Sequence, residues 1–341
     1  MSYLVTALAA IFVFLIIVLV HELGHFTVAK LVGVKVHEFA IGMGPRLFKF
    51  GKGETEYSLR ALPIGGYVRM EGEDEESTDA RSITNQPVLA RIAVFAAGAI
   101  MNFLLAIVIF SLIAFNVGAI TTTVDKLDES LPAYQSGMRA GDKIINIDGE
   151  NIGSWEEIVT LINMSNGEEI KVTVDREGAT KTFNIKPVVE ETDAEGNNII
   201  IGIYPRVSRS FGDIIKAGIQ KTFFFVGLMF EFIGRLFHGN VGANDVAGPV
   251  GVISLVGEAA QYGFLNLLNI AGFLSINLGF INLLPIPALD GSRIMFGLIE
   301  LVRRKPIDQE KEGFIHFIGF IFLLGLIVFI TYIDVSRLDI F

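Results

Sequence analysis

The chain has 341 residues, of which 51% are hydrophobic and 19% are charged, and its mean hydropathy is +0.54. This composition is too apolar for an ordinary soluble protein and too charged for a chain embedded wholly in a bilayer, so it predicts a membrane protein with a soluble insert. The formal net charge of −10 argues against nucleic acid as a partner. Because the chain has no cysteine, disulfides and thiolate metal sites are excluded, and any metal ion must be held by His, Asp or Glu.

An apolar segment begins the chain and leads directly into the run His21-Glu22-Leu23-Gly24-His25. On a helix, His21 and His25 project from one face, so both imidazoles can hold one zinc ion. Glu22 lies beside them, where its carboxylate can serve as a general base. Ionisable groups within a membrane span cost roughly 2.5–3.5 kcal/mol each, so their presence here indicates a functional site.

Four segments are long and apolar enough to cross a bilayer core about 30 Å thick. They are residues 3–31, 90–118, 264–289 and 314–333. Lys and Arg are concentrated between the first two spans and between the last two, and the positive-inside tendency places both of these regions in the cytoplasm. The zinc motif is therefore expected near the cytoplasmic side, and the long central segment on the outer face.

The first half of the membrane core, residues 1–118, includes a strand-rich loop at residues 34–70. This loop has two strand-like runs and glycine-rich turns. A free strand edge at membrane depth is tolerated only beside protein or a wet cavity, and such an edge could bind an extended peptide by strand addition. A cytoplasmic hairpin without any substrate function is the alternative.

Residues 119–190 are predicted to form a compact soluble module of short strands around a helix. Its turn sequences resemble those of a PDZ domain. They are Leu131-Pro132-Ala133, Ser136-Gly137-Met138 and Ala140-Gly141-Asp142. The resemblance implies a groove for peptide ends or strands, and the alternative is a passive domain that limits access by size.

Residues 191–263 are assigned to an outward linker. Within it, residues 211–237 are very apolar but carry charges at intervals, which favours a helix in the membrane interface over a fifth span. Residues 264–341 form the second half of the membrane core. The expected fold is an α-helical multi-pass membrane protein with about four transmembrane helices, a strand-rich membrane-associated loop and an inserted α+β PDZ domain.

Catalytic zinc usually takes three protein ligands and a water, so the motif needs one more residue. Asp290 follows an apolar stretch in which Pro285 and Pro287 are expected to break the helix. An aspartate at a helix end is more often a cap, but the position of Asp290 on the same side as the motif makes it the best third ligand. The other candidates are expected in solvated loop segments, on the outward segment, or in the last span away from the motif. They are His37, Glu38, Glu54, Glu56, His238 and His316.

Together these motifs resemble the site-2 proteases, zinc metalloproteases that cut substrates within the membrane, and the resemblance covers essentially the whole chain. It rests on the His21–His25 motif, on Gly98 and Asn102 in the second span, and on Asn282, Pro285, Pro287, Asp290 and Gly291. The order of spans, strand-rich loop and PDZ domain resembles the bacterial branch that acts in regulated intramembrane proteolysis. One departure is Ser292, where many members carry a second glycine.

The resemblance implies a zinc-dependent intramembrane endopeptidase of a bacterial cytoplasmic membrane. Zn²⁺ would be held by His21, His25 and Asp290, and Glu22 would act as the base. The implied partners are the lipid bilayer and transmembrane protein substrates, among which anti-sigma factors, signal-peptide remnants and peptide-pheromone precursors all fit. A membrane-bound PDZ scaffold without proteolysis and a metal transporter are the alternatives, although the repeated halves typical of transporters are not found.

Three further residues of the resemblance can also be explained by helix packing. Gly98 permits close packing of helices. Asn102 and Asn282 are candidates for holding a substrate carbonyl, and each could instead tie two helices together.

Overall fold

The computed structural model describes residues 3–51, 53–73, 77–191, 197–239, 242 and 246–337. The chain divides into two compact units, one made of Met1–Ala106 with Leu228–Phe341 and the other of Ile107–Gly227. The described helices are α1 (Tyr3–Leu31), α2 (Val88–Val117), α3 (Pro132–Gln135), α4 (Trp155–Met164), α5 (Phe211–Phe237), α6 (Pro249–Gln261), α7 (Phe264–Leu283), α8 (Asp290–Arg303) and α9 (Gln309–Arg337). The described strands are β1 (Val36–Phe50), β2 (Glu56–Met70), β3 (Ala119–Leu127), β4 (Lys143–Ile147), β5 (Glu150–Asn151), β6 (Ile170–Arg176), β7 (Ala179–Ile185), β8 (Val188–Glu191), β9 (Asn197–Ile200) and β10 (Ile203–Ser208).

Five of the described helices are long and apolar enough to cross a membrane, namely α1, α2, α5, α7 and α9. Four of them correspond to the four predicted spans. The span predicted at 264–289 is helical only to Leu283, because Pro285 and Pro287 interrupt the backbone ladder as expected. The fifth, α5, is the segment that the sequence places in the interface, and its 27 residues also suffice for a span because its charges are widely spaced.

In the first unit, the predicted strand-rich loop is a curled antiparallel hairpin of β1 and β2. Phe39 in β1 has Cα partners on both sides, Val68 and Tyr57, so the early part of β1 lies between two parts of β2. A buried apolar cluster packs this hairpin against α1 and α2. Its members are Ala29, Val34, Val36, Phe39, Val68, Met70, Ile83 and Val94. The hairpin is thus fixed to the same two helices that carry the zinc motif and its neighbours.

Glu38 was expected to be solvated, and the structure shows that this expectation is wrong, because only 6% of the residue is exposed. It accepts hydrogen bonds from Ser58 Oγ at 2.6 Å, Arg60 Nη2 at 2.8 Å and the Tyr67 hydroxyl at 2.6 Å. Burial alone would raise the pKa of the Glu38 carboxyl, but these three donors lower it to about 2. The carboxylate therefore links both parts of β2 across β1 and stabilises the curl.

The second unit contains the predicted α+β module. Its main sheet has the strand order β10-β3-β4-β6-β7, with β5 paired to β4, and α4 begins with a capping box between Ser154 and Glu157. The strand β10 comes from a segment that the sequence assigns to the linker, and it pairs antiparallel with β3. The helices, the hairpin and this inserted unit confirm the predicted fold class.

Candidate active site

Three metal-capable side chains from two distant parts of the chain meet in the first unit. His21 and His25 lie one turn apart on α1, and each residue is 7% exposed. The Oδ2 atom of Asp290 lies 3.2 Å from His21 Nε2 and 3.3 Å from His25 Nε2, and the two Nε2 atoms are 3.2 Å apart. Among the described residues, this is the only group of three or more His, Asp or Glu side chains placed to hold one metal ion.

The donor set fits zinc in spacing and in chemistry. A tetrahedral zinc ion with bonds of about 2.0–2.1 Å separates its ligand atoms by roughly 3.3 Å, which agrees with the distances between these three atoms. Asp290 Oδ2 is buried and accepts no hydrogen bond from the part of the chain that the structure describes. The three donor atoms are therefore close enough together to hold one metal ion.

The imidazole of His25 is oriented by a backbone carbonyl of the neighbouring helix. Its Nδ1 atom lies 2.8 Å from Val94 O on α2, and a carbonyl can only accept, so Nδ1 carries the proton. In the neutral imidazole the Nε2 atom is then unprotonated, and it faces Asp290 Oδ2 at 3.3 Å. This is the usual support for a metal-bound histidine.

Asn102 supports His21 in a similar way. Its side-chain amide lies beside His21 Nδ1, with Nδ2 at 3.3 Å, while Oδ1 is buried and has no partner among the described residues. The two ends of an amide are interchangeable by a half-turn, and with the oxygen facing Nδ1 the amide accepts the His21 proton. That orientation satisfies Oδ1 and leaves His21 Nε2 free for a metal ion.

Gly98 gives the two imidazoles the space they occupy. A Cβ atom at this position would lie 2.4 Å from His25 Nε2 and 2.7 Å from His21 Cε1, far inside van der Waals contact. On the facing helix, a Cβ at Gly24 would lie 2.4 Å from Ala97 O. The two glycines allow α1 and α2 to approach closely, and the backbone of Gly98 lies directly against both imidazoles.

Asp290 is the first residue of α8 and directly follows the non-helical turn between α7 and α8. Gly291 is required there, because a Cβ would lie 2.2 Å from Leu284 O and 2.4 Å from Leu283 O. Ser292, the one departure from the family pattern, is fully buried and donates from Oγ to Leu289 O at 2.7 Å. The serine hydroxyl is therefore accommodated within the turn.

Glu22 lines a cavity of about 730 Å³ together with His21, His25 and Asp290. Another part of the cavity wall is formed by the β2 segment that contains Gly65 and Gly66. A Cβ at Gly66 would lie 3.4 Å from Glu22 Cγ, so the strand backbone runs directly beside the glutamate. The cavity thus brings a carboxylate, a metal-type donor set and a strand into one space.

Asn282 and Asn102 have the same two interpretations from the sequence, but they differ in their position relative to the cavity. Asn282 is half-buried, lines the cavity, and has Nδ2 3.5 Å from His21 Nε2. Asn102 is 0% exposed and is absent from the cavity wall. Only Asn282 is therefore placed to meet a bound molecule.

The acids and histidines that were rejected as third ligands from the sequence lie outside the donor set. His37 pairs with Glu71, with Nε2 and Oε2 2.7 Å apart. Glu54 and Glu56 each form ion pairs with two basic side chains. His238 follows the last residue of α5, and its Nδ1 atom lies 2.7 Å from Gly234 O in that helix.

One of these expectations is wrong, because His316 is not away from the motif. It lines the same cavity and binds the turn before Asp290, with the backbone N–H of Ala288 donating to Nδ1 at 3.0 Å. Arg293 was not among the predicted site residues, and it pairs with Glu73 at the cavity wall. A histidine within an apolar span was the available signal for His316, since such residues are expensive unless they have a partner.

Comparisons with known proteins cover almost the full chain. Residues 9–326 match the model of peptidase family M50. A relative from Clostridium acetobutylicum is 38% identical over 328 residues, and the match covers 96% of each chain. The zinc metalloprotease RasP of Geobacillus kaustophilus is 32% identical, with 96% of this chain and 97% of that one covered. The regulator of sigma-W protease RasP of Bacillus subtilis is 30% identical, with 98% and 99% covered.

Among solved structures, the PDZ domain of the SdrC-like protein of Listeria monocytogenes matches 26% of this chain and 87% of its own length. The sequence identity is 22% and the TM-score is 0.22. This similarity is too low to carry an argument.

Proposed function

The chain belongs to peptidase family M50, the site-2 proteases, and on that premise we propose that His21, His25 and Asp290 hold its zinc ion while Glu22 is the catalytic base. The protein is a zinc metalloprotease of the intramembrane type. The observation that carries the residue assignment is the convergence of three donor atoms, 3.2–3.3 Å apart, at a cavity that Glu22 also lines. Family membership and an intact Glu22 leave no observation that favours a scaffold or a metal transporter.

Zinc, when bound, polarises the scissile carbonyl and acidifies the attacking water. Glu22 takes the proton from that water and delivers it to the leaving nitrogen of the substrate, as a general base that becomes a general acid. Asn282, at the cavity wall, is placed to donate an amide N–H to the substrate carbonyl oxygen. Asn102 is fully buried, and we assign it to the orientation of His21 rather than to substrate contact.

A transmembrane substrate must unwind before it can be cut, because its carbonyls are already bonded within the helix. The end of β2, from Gly66 to Met70, pairs on one side with β1, and no described strand pairs with its other side. An unwound substrate can add to this free edge, which lies directly beside Glu22. The absence of a side chain at Gly66 leaves room beside Glu22 for the incoming strand.

For the setting of the reaction, we propose a bacterial cytoplasmic membrane, with the zinc site near the cytoplasmic side and the PDZ domain on the outer face. We assign the membrane core to residues 1–118 and 264–341, the PDZ domain to 119–190 and the outward linker to 191–263, of which β10 completes the sheet of the PDZ domain. The name of the Bacillus subtilis relative, a regulator of sigma-W, favours a membrane-anchored anti-sigma factor as the substrate. The PDZ domain either binds the ends of substrates already shortened outside or excludes those that are not.

The test uses purified protein in detergent, a labelled transmembrane peptide, and a measurement of bound zinc. Glu22→Gln should keep zinc and lower cleavage by about 10²–10⁴-fold, which is the usual contribution of a general base. Asp290→Ala should lose both zinc and cleavage. Asp125→Ala, which removes an exposed acid that forms an ion pair with Arg206, is the matched control and should behave as wild type. Undiminished cleavage by Glu22→Gln would rule out the assignment of the base.

A further inference from the structure

The turn that presents Asp290 contains a residue in an unfavourable backbone conformation. Ala288, two residues before Asp290, has φ +77°, in the left-handed region that favours glycine. A non-glycine residue persists in this region only where its surroundings hold it there.

A turn hydrogen bond from Leu289 N–H to Ile286 O, 3.1 Å long, closes the chain around Pro287 and Ala288, and helix α9 adds further contacts from the far end of the chain. The backbone N–H of Ala288 donates to His316 Nδ1 at 3.0 Å. One turn later, a Cβ at Gly319 would lie 2.3 Å from Pro287 Cβ, so the helix backbone lies directly against the preceding residue of the turn. Within residues 313–320, all of them described, His316 and Gly319 are the two positions shielded from solvent.

The imidazole of His316 is arranged to accept rather than to donate at Nδ1. Its Nε2 atom faces Glu312 Oε1 at 3.6 Å, which favours a proton on Nε2. The ring also meets Phe296 of α8 edge to face, with centroids 5.8 Å apart. The histidine therefore connects α9 both to the turn and to the helix that Asp290 begins.

We propose that His316 is a positioning residue of the zinc site. By accepting the Ala288 N–H, it holds that residue left-handed and so fixes Asp290 within reach of His21 and His25. The proposal rests on the assignment of Asp290 as a zinc ligand. It adds a residue of the last span to a site whose ligands come from α1 and α8.

The experiment compares Asn and Gln at position 316 and measures zinc affinity by competition with a chelator. The Oδ1 atom of Asn occupies nearly the position of Nδ1, so His316→Asn should keep wild-type affinity. The amide of Gln is one bond further out, so His316→Gln should lower the affinity by about 10–100-fold, as loss of support around a metal ligand usually does. The exposed His238, changed to Gln, is the matched control.

A second variant distinguishes backbone positioning from simple packing. Glycine adopts a positive φ without strain, so adding Ala288→Gly to His316→Gln should restore most of the lost affinity. A packing role predicts the reverse pattern: the smaller Asn would weaken zinc binding, the larger Gln would not, and glycine would rescue nothing. That pattern would overturn the proposal.

Asp290→Ala separates this proposal from the one on which it rests. Weaker zinc binding in Asp290→Ala together with unchanged binding in His316→Gln would refute the positioning by His316 and leave the ligand assignment intact. Unchanged binding in Asp290→Ala would refute the ligand assignment, and the positioning proposal with it.

Discussion

The two parts of the candidate zinc site are held in different ways. His21 and His25 are four residues apart on one helix, so the helix itself sets their separation, and the neighbouring α2 only orients the rings and leaves space for them. Asp290 depends instead on a broken helix, a left-handed alanine and a contact with the last span. The first part is fixed by local geometry and is vulnerable to crowding, whereas the second is fixed by tertiary contacts and is vulnerable to loosening.

The largest effect is expected from crowding the helical part. Gly98→Ala places a Cβ within 2.4 Å of His25 Nε2, and moving the helices apart to make room would lose the close packing of Gly24 on Ala97. Overpacking costs about 1–3 kcal/mol, so zinc affinity should fall by up to about 100-fold. Chelator competition measures the loss. Gly325→Ala on α9, where a Cβ meets nothing within 4 Å, should bind zinc as wild type does.

A smaller effect is expected from disturbing the turn, because only one ligand moves. Gly291→Ala sets a Cβ 2.2 Å from Leu284 O, so the turn must open and Asp290 must shift. We expect zinc affinity to fall by about 30-fold, equivalent to about 2 kcal/mol. Gly313→Ala, with no atom near its added Cβ, is the control in the same assay. A larger loss of zinc affinity in Gly291→Ala than in Gly98→Ala would mean that the turn, and not the helical part, is the more sensitive half of the site.

The smallest effect is expected from removing the amide that orients His21. Asn102→Ala removes the acceptor for Nδ1–H but leaves both helices and all three ligands in place, so zinc affinity should fall by about tenfold. Asn102→Asp retains an acceptor oxygen and should stay close to wild type in an equilibrium zinc titration. Equal affinity in the alanine and aspartate variants would mean that the helix alone orients His21.

Much of the site could be predicted from the sequence because its signals are local. The spacing of His21 and His25 defines a helix face, and the two prolines before Asp290 break a helix wherever it lies. Glu38 was misjudged because its three donors come from β2, and a loop sequence does not show which strand residues will surround one carboxylate.

His316 and Ala288 could not be predicted for a related reason. Pro287 is compatible with a type II turn that would make Ala288 left-handed, but the glycine or asparagine that usually marks that position is not there. Its conformation depends on a partner in another helix, and the periodicity of an apolar span does not show which of its faces meets the turn. Asn102 and Asn282 were equivalent in the sequence, and only burial distinguishes them.

The wide separation of the ligands along the chain has a consequence for biosynthesis. His21 and His25 enter the membrane with the first helix, but Asp290 is translated much later, and the α9 helix that supports its turn comes later still. A growing chain therefore cannot assemble the donor set until nearly all of it has been made. We therefore expect a chain that ends before α8 to be unable to bind zinc at this site.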